Sequence, residues 1–251
     1  DGSTNATLTG TAVYSGLVSG DTFDGTYTGV FSDKNAGVGK TVTITSSYSG
    51  ADVSNYSVTD QSSTTANITA KSLTVSGITA SDKTYDGSVT ATMNGNSAVY
   101  SGLVSGDTFT GSYSGVFANA NVGNNKTVTI TSSYTGGDVN NYTVTNQSST
   151  TADISAKALT ATASTSNKTY DGGTTASTTL TFTGLVGSET LGQTVGSTFD
   201  NKNVGTGKTV TVNSITLADG SGLAANYSIS AGQTTTANIT PKALTVSGIT
   251  A

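Results

Sequence analysis

The sequence predicts an all-β fold: three tandem immunoglobulin-like β-sandwich domains in a rod, the first lacking its N-terminal strand. Composition is the first observation behind this. Of 251 residues only 10% are charged; every one of the ten cations is Lys, Glu189 is the only Glu, and His, Cys and Trp are absent. Strong helix formers are therefore scarce, and Thr, Val, Gly, Ser and Asn dominate. Thr and Val suit a pleated surface, and Gly, Asn and Asp supply turns. The second observation is repetition. Residues 14–70 align without gaps on 100–156 with 41 of 57 positions identical. Lys83-Thr84-Tyr85-Asp86-Gly87 returns as Lys168-Thr169-Tyr170-Asp171-Gly172, 85 residues later. That period is too long for a solenoid coil and suits a small sandwich domain. The third is alternation, which yields about seven short strands per unit with turn signals between them.

The second unit justifies the elements in order. Leu73 and Val75 alternate with polar neighbours, as a half-buried strand does. Tyr85-Asp86-Gly87 then reads as a tight turn closing that first strand, Gly supplying the positive φ. Val89, Ala91 and Met93 alternate next. Tyr100, Leu103 and Val104 precede a Ser105-Gly106-Asp107 turn. Phe109, Tyr113, Val116 and Phe117 give one or two further strands. Residues 119–125 form a Gly/Asn loop. Val128 and Ile130, set among Thr127, Thr129 and Thr131, make the clearest strand; Tyr142 with Val144 and Ala152 with Ile154 make the last two. Domain boundaries follow at 1–70, 71–156 and 157–241, with 242–251 the first strand of a further repeat. No Gly/Ser-rich spacer separates the units, and Pro241 stiffens the last boundary.

These residues carry a family resemblance. Lys-Thr-Tyr-Asp-Gly, the Gly-Leu-Val-x-Gly-Asp/Glu segment, Asn203-Val204-Gly205-Thr206-Gly207-Lys208 and the closing Ala-Asn-Ile-Thr-Pro-Lys-Ala-Leu-Thr-Val resemble YDG-type repeats, which are related to MBG-type repeats. The second unit departs from the pattern at Ala120 and Asn124-Asn125. Such repeats form tandem arrays in large secreted or surface-bound bacterial adhesins. The resemblance therefore implies an extracellular or cell-surface location and a stalk or fibre role in adhesion and biofilm matrix, with no catalytic residue to transfer.

Composition excludes several classes. Without Arg or a basic run, nucleic-acid binding lacks an electrostatic basis. No apolar run reaches the roughly 20 residues of a membrane span. Without His or Cys, the usual acid/base and thiol chemistry is missing, and no enzyme activity, catalytic residue or cofactor site is expected. Calcium is the alternative cofactor, at Asp82, Asp86 and Asp107, but no Asp-rich loop of the spacing it needs occurs. A Lys–Asn crosslink from Lys83 or Lys126 to Asn141 is weighed against a surface Lys stem and a turn-capping Asn. Asn67 and Asn238 lie in glycosylation sequons but fall within predicted strands.

The motif residues Lys83, Tyr85, Asp86, Gly87, Lys168, Tyr170, Asp171 and Gly172 are read as structural. Leu244, Val246 and Ile249 are candidates for strand donation, since Lys242–Ala251 repeats the opening strand of a unit. The expected partners are neighbouring repeats of the same chain, or identical subunits joined head to tail into a filament. Surface glycans bound by loop Tyr and Asn are a third class.

Overall fold

The computed structural model describes residues 1–251. It is all-β, built of tandem β-sandwich repeats, and its only helical pieces are three-residue 3-10 turns at Val53–Asn55, Val139–Asn141 and Ala224–Asn226. The chain divides into two compact units, 1–79 with 93–114 and 130–148, and 80–92 with 115–129 and 149–251. Each unit contains one boundary between successive repeats.

In the first unit, the first repeat forms a four-stranded antiparallel sheet in the order Asn5–Ala6, Asp24–Phe31, Gly37–Ser49, Ser63–Ile68. The second repeat contributes a three-stranded sheet centred on Lys71–Ser76. That strand pairs parallel with Tyr142–Thr145 and antiparallel with Val99–Ser101. Its alternation is the predicted one: Leu73, Val75 and Ile78 are fully buried and their neighbours face out. Leu73 packs on Phe109 and Tyr142, and Val75 and Ile78 pack on Ile130. Ile130 belongs to Gly123–Thr135, a strand of a different sheet, so this contact is the sandwich core.

The second unit begins with Lys83–Thr84, which runs parallel to Ile154 and Ser155 of Ser149–Ser155. The signature therefore opens a strand of a different sheet and does not simply close the first strand. In the third repeat Lys168–Thr169, Thr234–Thr240, Gly205–Asp219 and Leu191–Phe199 make one sheet. Thr160–Thr165 pairs with Thr178–Thr183 in another. Phe199, Val210, Ala237 and Ile239 form the core, with Tyr170 packed against them.

Other expectations are refined. The alternation at Val89, Ala91 and Met93 becomes two short strands, Thr90–Ala91 and Met93–Asn94, and Val89 is exposed. Phe109 to Phe117 yields one strand, Thr110–Phe117. Each long strand bears a bulge, at Gly37/Lys40, Gly123/Lys126 and Gly205/Lys208. The bulge needs a left-handed residue, met by Gly39, Asn125 and Gly207 at φ 64, 50 and 59. Asn tolerates that region better than other side chains, which accounts for the departure at Asn125.

Candidate functional site: the joints between repeats

Where the first repeat meets the second, Lys34 is the central side chain. Its Nζ lies 2.6 Å from Asp107 Oδ1 and 3.2 Å from Asp138 Oδ1. Each carboxylate is aimed by its second oxygen. Asp107 Oδ2 accepts from the Tyr142 hydroxyl at 2.6 Å, and Asp138 Oδ2 accepts from the Thr108 N–H at 2.8 Å. Asn141 completes the joint: its Oδ1 accepts from the Ala36 N–H at 2.8 Å, and its Nδ2 donates to Asn35 Oδ1 at 3.1 Å. A Cβ on Gly2 would fall 2.8 Å from Val104 Cγ1. The ammonium and the Tyr142 hydroxyl hold Asp107 below the usual carboxylate range; the Thr108 amide and then Lys34 do the same for Asp138. The two carboxylates push Lys34 up.

Where the second repeat meets the third, the same parts recur with one exchange. Asn226 is buried; its Oδ1 accepts from the Val122 N–H at 2.9 Å and its Nδ2 donates to Asn121 Oδ1 at 3.1 Å. The position of Lys34 is Ala120, and the position of Asp107 is Glu189. Glu189 reaches further and accepts from two hydroxyls, Tyr85 at 2.7 Å and Tyr227 at 2.5 Å. The two rings meet edge to face at 5.4 Å. Burial and then Glu189 push the Tyr85 phenol up to about 12. A Cβ on Gly87 would lie 2.9 Å from Val186 Cγ1. Tyr85 and Gly87 of the signature thus belong to the joint.

The other half of the signature is internal. Lys83 Nζ donates to Asp86 Oδ1, to the Ser88 carbonyl and, at 3.2 Å, to the Thr90 carbonyl, and it sits 5.5 Å from the centroid of the Phe117 ring. Lys168 repeats this with Asp171, Gly173, Thr175 and Phe199. These lysines staple the turn instead of lying along the surface. Lys126 likewise donates to Asn119 Oδ1 at 2.7 Å, and Asn141 is spent on Asn35 and Ala36, so neither Lys83 nor Lys126 is brought to Asn141.

Asp82, Asp86 and Asp107 do not converge: Asp82 accepts the Asp153 N–H, Asp86 holds Lys83 and Asp107 holds Lys34. No three His, Cys, Asp or Glu side chains gather in a metal-sized group. Asn67 and Asn238 stay in strands, their Oδ1 atoms accepting the Gly39 and Gly207 N–H groups. Leu244, Val246 and Ile249 lie on a segment without secondary structure and are 88%, 71% and 86% exposed. Sequence reasoning passed over Lys34, Glu189 and Asn226; their signal was position, since each sits in a landmark shared by all repeats.

The first repeat has one further feature, a groove of ≈ 680 Å³ lined by Tyr14, Phe23, Ile44, Tyr48, Tyr56 and Val58 among others. By contrast the cleft at the first joint holds only ≈ 40 Å³, room for water but not for a sugar.

The YDG domain family matches this chain three times, over residues 1–66, 69–152 and 155–237. No curated protein and no solved structure matches it.

Proposed function

We propose that this chain, which belongs to the YDG domain family, is a structural stalk segment of a secreted or cell-surface bacterial adhesin, spacing a binding element from the cell or crosslinking matrix. It is a repeat-domain protein, matched over all three repeats. The single observation that carries the reading is the recurrence of the joint. Both boundaries lack a flexible linker and are bridged by an Asn holding the preceding repeat's loop. Inter-domain contacts in one chain ordinarily leave the domains free to move. A repeat that specifies its neighbour's placement through side-chain amide hydrogen bonds serves spacing better than ligand capture.

The test presents arrays of different repeat number on a heterologous bacterial surface beneath one fixed binding domain. Tethering distance is expected to grow with each repeat, with no adhesion from the array alone. Saturable binding of the isolated chain to a glycan array would overturn the stalk reading in favour of a carbohydrate-binding module.

A further inference from the structure

We propose that the Lys-Thr-Tyr-Asp-Gly signature builds a mechanical clamp, a latch between an early and the last strand of a repeat that resists tension along the chain. That the chain bears load rests on the stalk reading; the latch itself is a property of the strand pairing.

In the second repeat Lys83 and Thr84 lie beside Ile154 and Ser155, and the two strands run parallel. The Tyr85 N–H donates to the Ser155 carbonyl at 2.9 Å, and the Asp153 N–H donates to Asp82 Oδ1 at 2.7 Å. The third repeat builds the same latch, with Lys168 and Thr169 beside Ile239 and Thr240. There the Tyr170 N–H donates to the Thr240 carbonyl at 2.9 Å, and the Asn238 N–H donates to Asn167 Oδ1 at 2.7 Å. The residue ahead of the signature thus takes part in both copies, as Asp or as Asn, because each can accept a main-chain N–H through Oδ1. The segment that opens each repeat is also paired parallel with a late strand: Lys71 to Thr74 with Tyr142 to Thr145, and Lys157–Ala158 with Tyr227–Ser228.

Parallel pairing sets how these bonds meet a load. Tension enters a repeat through its early strands and leaves through its last. It therefore pulls the N-terminal end of one latch strand and the C-terminal end of the other. In a parallel pair those two ends lie at opposite ends of the latch. The strands must slide past each other, and the bonds that cross between them are loaded together. In an antiparallel pair the same two ends lie side by side, and the bonds open one after another. Both sides of the latch are anchored. Lys83 Nζ ties Asp86, Ser88 and Thr90 behind one strand, and Lys168 does the same with Asp171, Gly173 and Thr175. Ile154 and Ile239 root the other strand in the core, fully buried. A two-residue strand adds little to equilibrium stability, but forced unfolding follows the barrier to unfolding and not that stability.

Single-molecule pulling on the whole chain tests the clamp. The chain has no Cys, so pairs of introduced Cys define where force is applied. Ala70→Cys with Ala158→Cys, both at exposed positions, loads the second repeat from end to end. Ser81→Cys with Thr151→Cys, also at exposed positions, pulls the latch strands apart from their shared N-terminal side. Rupture force is expected to be several-fold higher with the first pair. In that geometry Asp82→Ala, which removes one latch bond, should lower the force. Tyr134→Phe, which removes one bond to Asn146 outside the latch, should leave it unchanged. Equal forces in the two geometries, or an Asp82→Ala force no lower than that of Tyr134→Phe, would overturn the proposal. Tethering distance could still grow with repeat number in that case, and the forces could keep their order if it did not, so the clamp and the stalk reading fail separately.

Discussion

Gly87 shows how a single residue reports on the joint. Its φ is +78, and Gly172, at the same place in the next repeat, has φ +84. Both therefore pay the same backbone strain on acquiring a Cβ, about 1 kcal/mol. They differ in surroundings, since a Cβ on Gly87 would lie 2.9 Å from Val186 and one on Gly172 has open space. Gly172→Ala is expected to lower stability by about 1 kcal/mol, and Gly87→Ala by a further 1–3 kcal/mol from overpacking, roughly. Thermal unfolding of the two variants measures the difference, and equal losses would mean that Val186 yields freely. The signature glycine was legible in the sequence as a turn former. Its contact with the next repeat was not, because positive φ is a local property whereas Val186 lies about one repeat away in the chain.

At the scale of the element, the strand Lys71–Ser76 is the one on which a repeat depends most. Leu73 is fully buried, and its pairing partners come from both sides. Leu73→Ala is expected to cost about 2–5 kcal/mol, the range for a leucine cavity in a close-packed core. Hydrogen exchange should show the loss at Tyr142–Thr145 and Val99–Ser101, which lean on that strand. An effect confined to residues 71–76 would contradict this account. This strand was readable from the Leu-x-Val alternation alone, as were Val128 with Ile130 and Ala152 with Ile154. The two-residue strands Lys83–Thr84 and Thr90–Ala91 were not, because two residues carry no period. The Lys83 staple escaped for a related reason. Two of its four acceptors are backbone carbonyls, which no side-chain pattern announces, and Lys83→Met is expected to cost about 1–3 kcal/mol by removing these charge-assisted bonds.

At the scale of the whole molecule, the two joints carry different chemistry on one plan, and acid separates them. The first joint rests on Lys34 with Asp107 and Asp138, whose carboxyls are held below the usual value of 3.8. A depressed carboxylate adds stability that is fully present above its unfolded pKa and is lost as pH falls through the folded one. The first joint should therefore loosen below about pH 4. The second joint rests on phenols: Tyr85 is pushed from 10.0 up to about 12, and Tyr227 is raised by burial and then by Glu189. A raised phenol gives stability that is present below pH 10.0 and is lost as pH climbs through about 12. Limited proteolysis across pH should then cut near Lys34 and Asn35 on acidification. Phenolate absorbance should appear late at the second joint, and Tyr85→Phe should remove part of that delayed titration. The acid effect has its own control in Lys34→Met, which leaves Asp107 and Asp138 without their cation. That variant should be looser than wild type at neutral pH and should change less as the pH falls below about 4. If it keeps the wild-type acid response, Lys34 is not what ties the first repeat to the second.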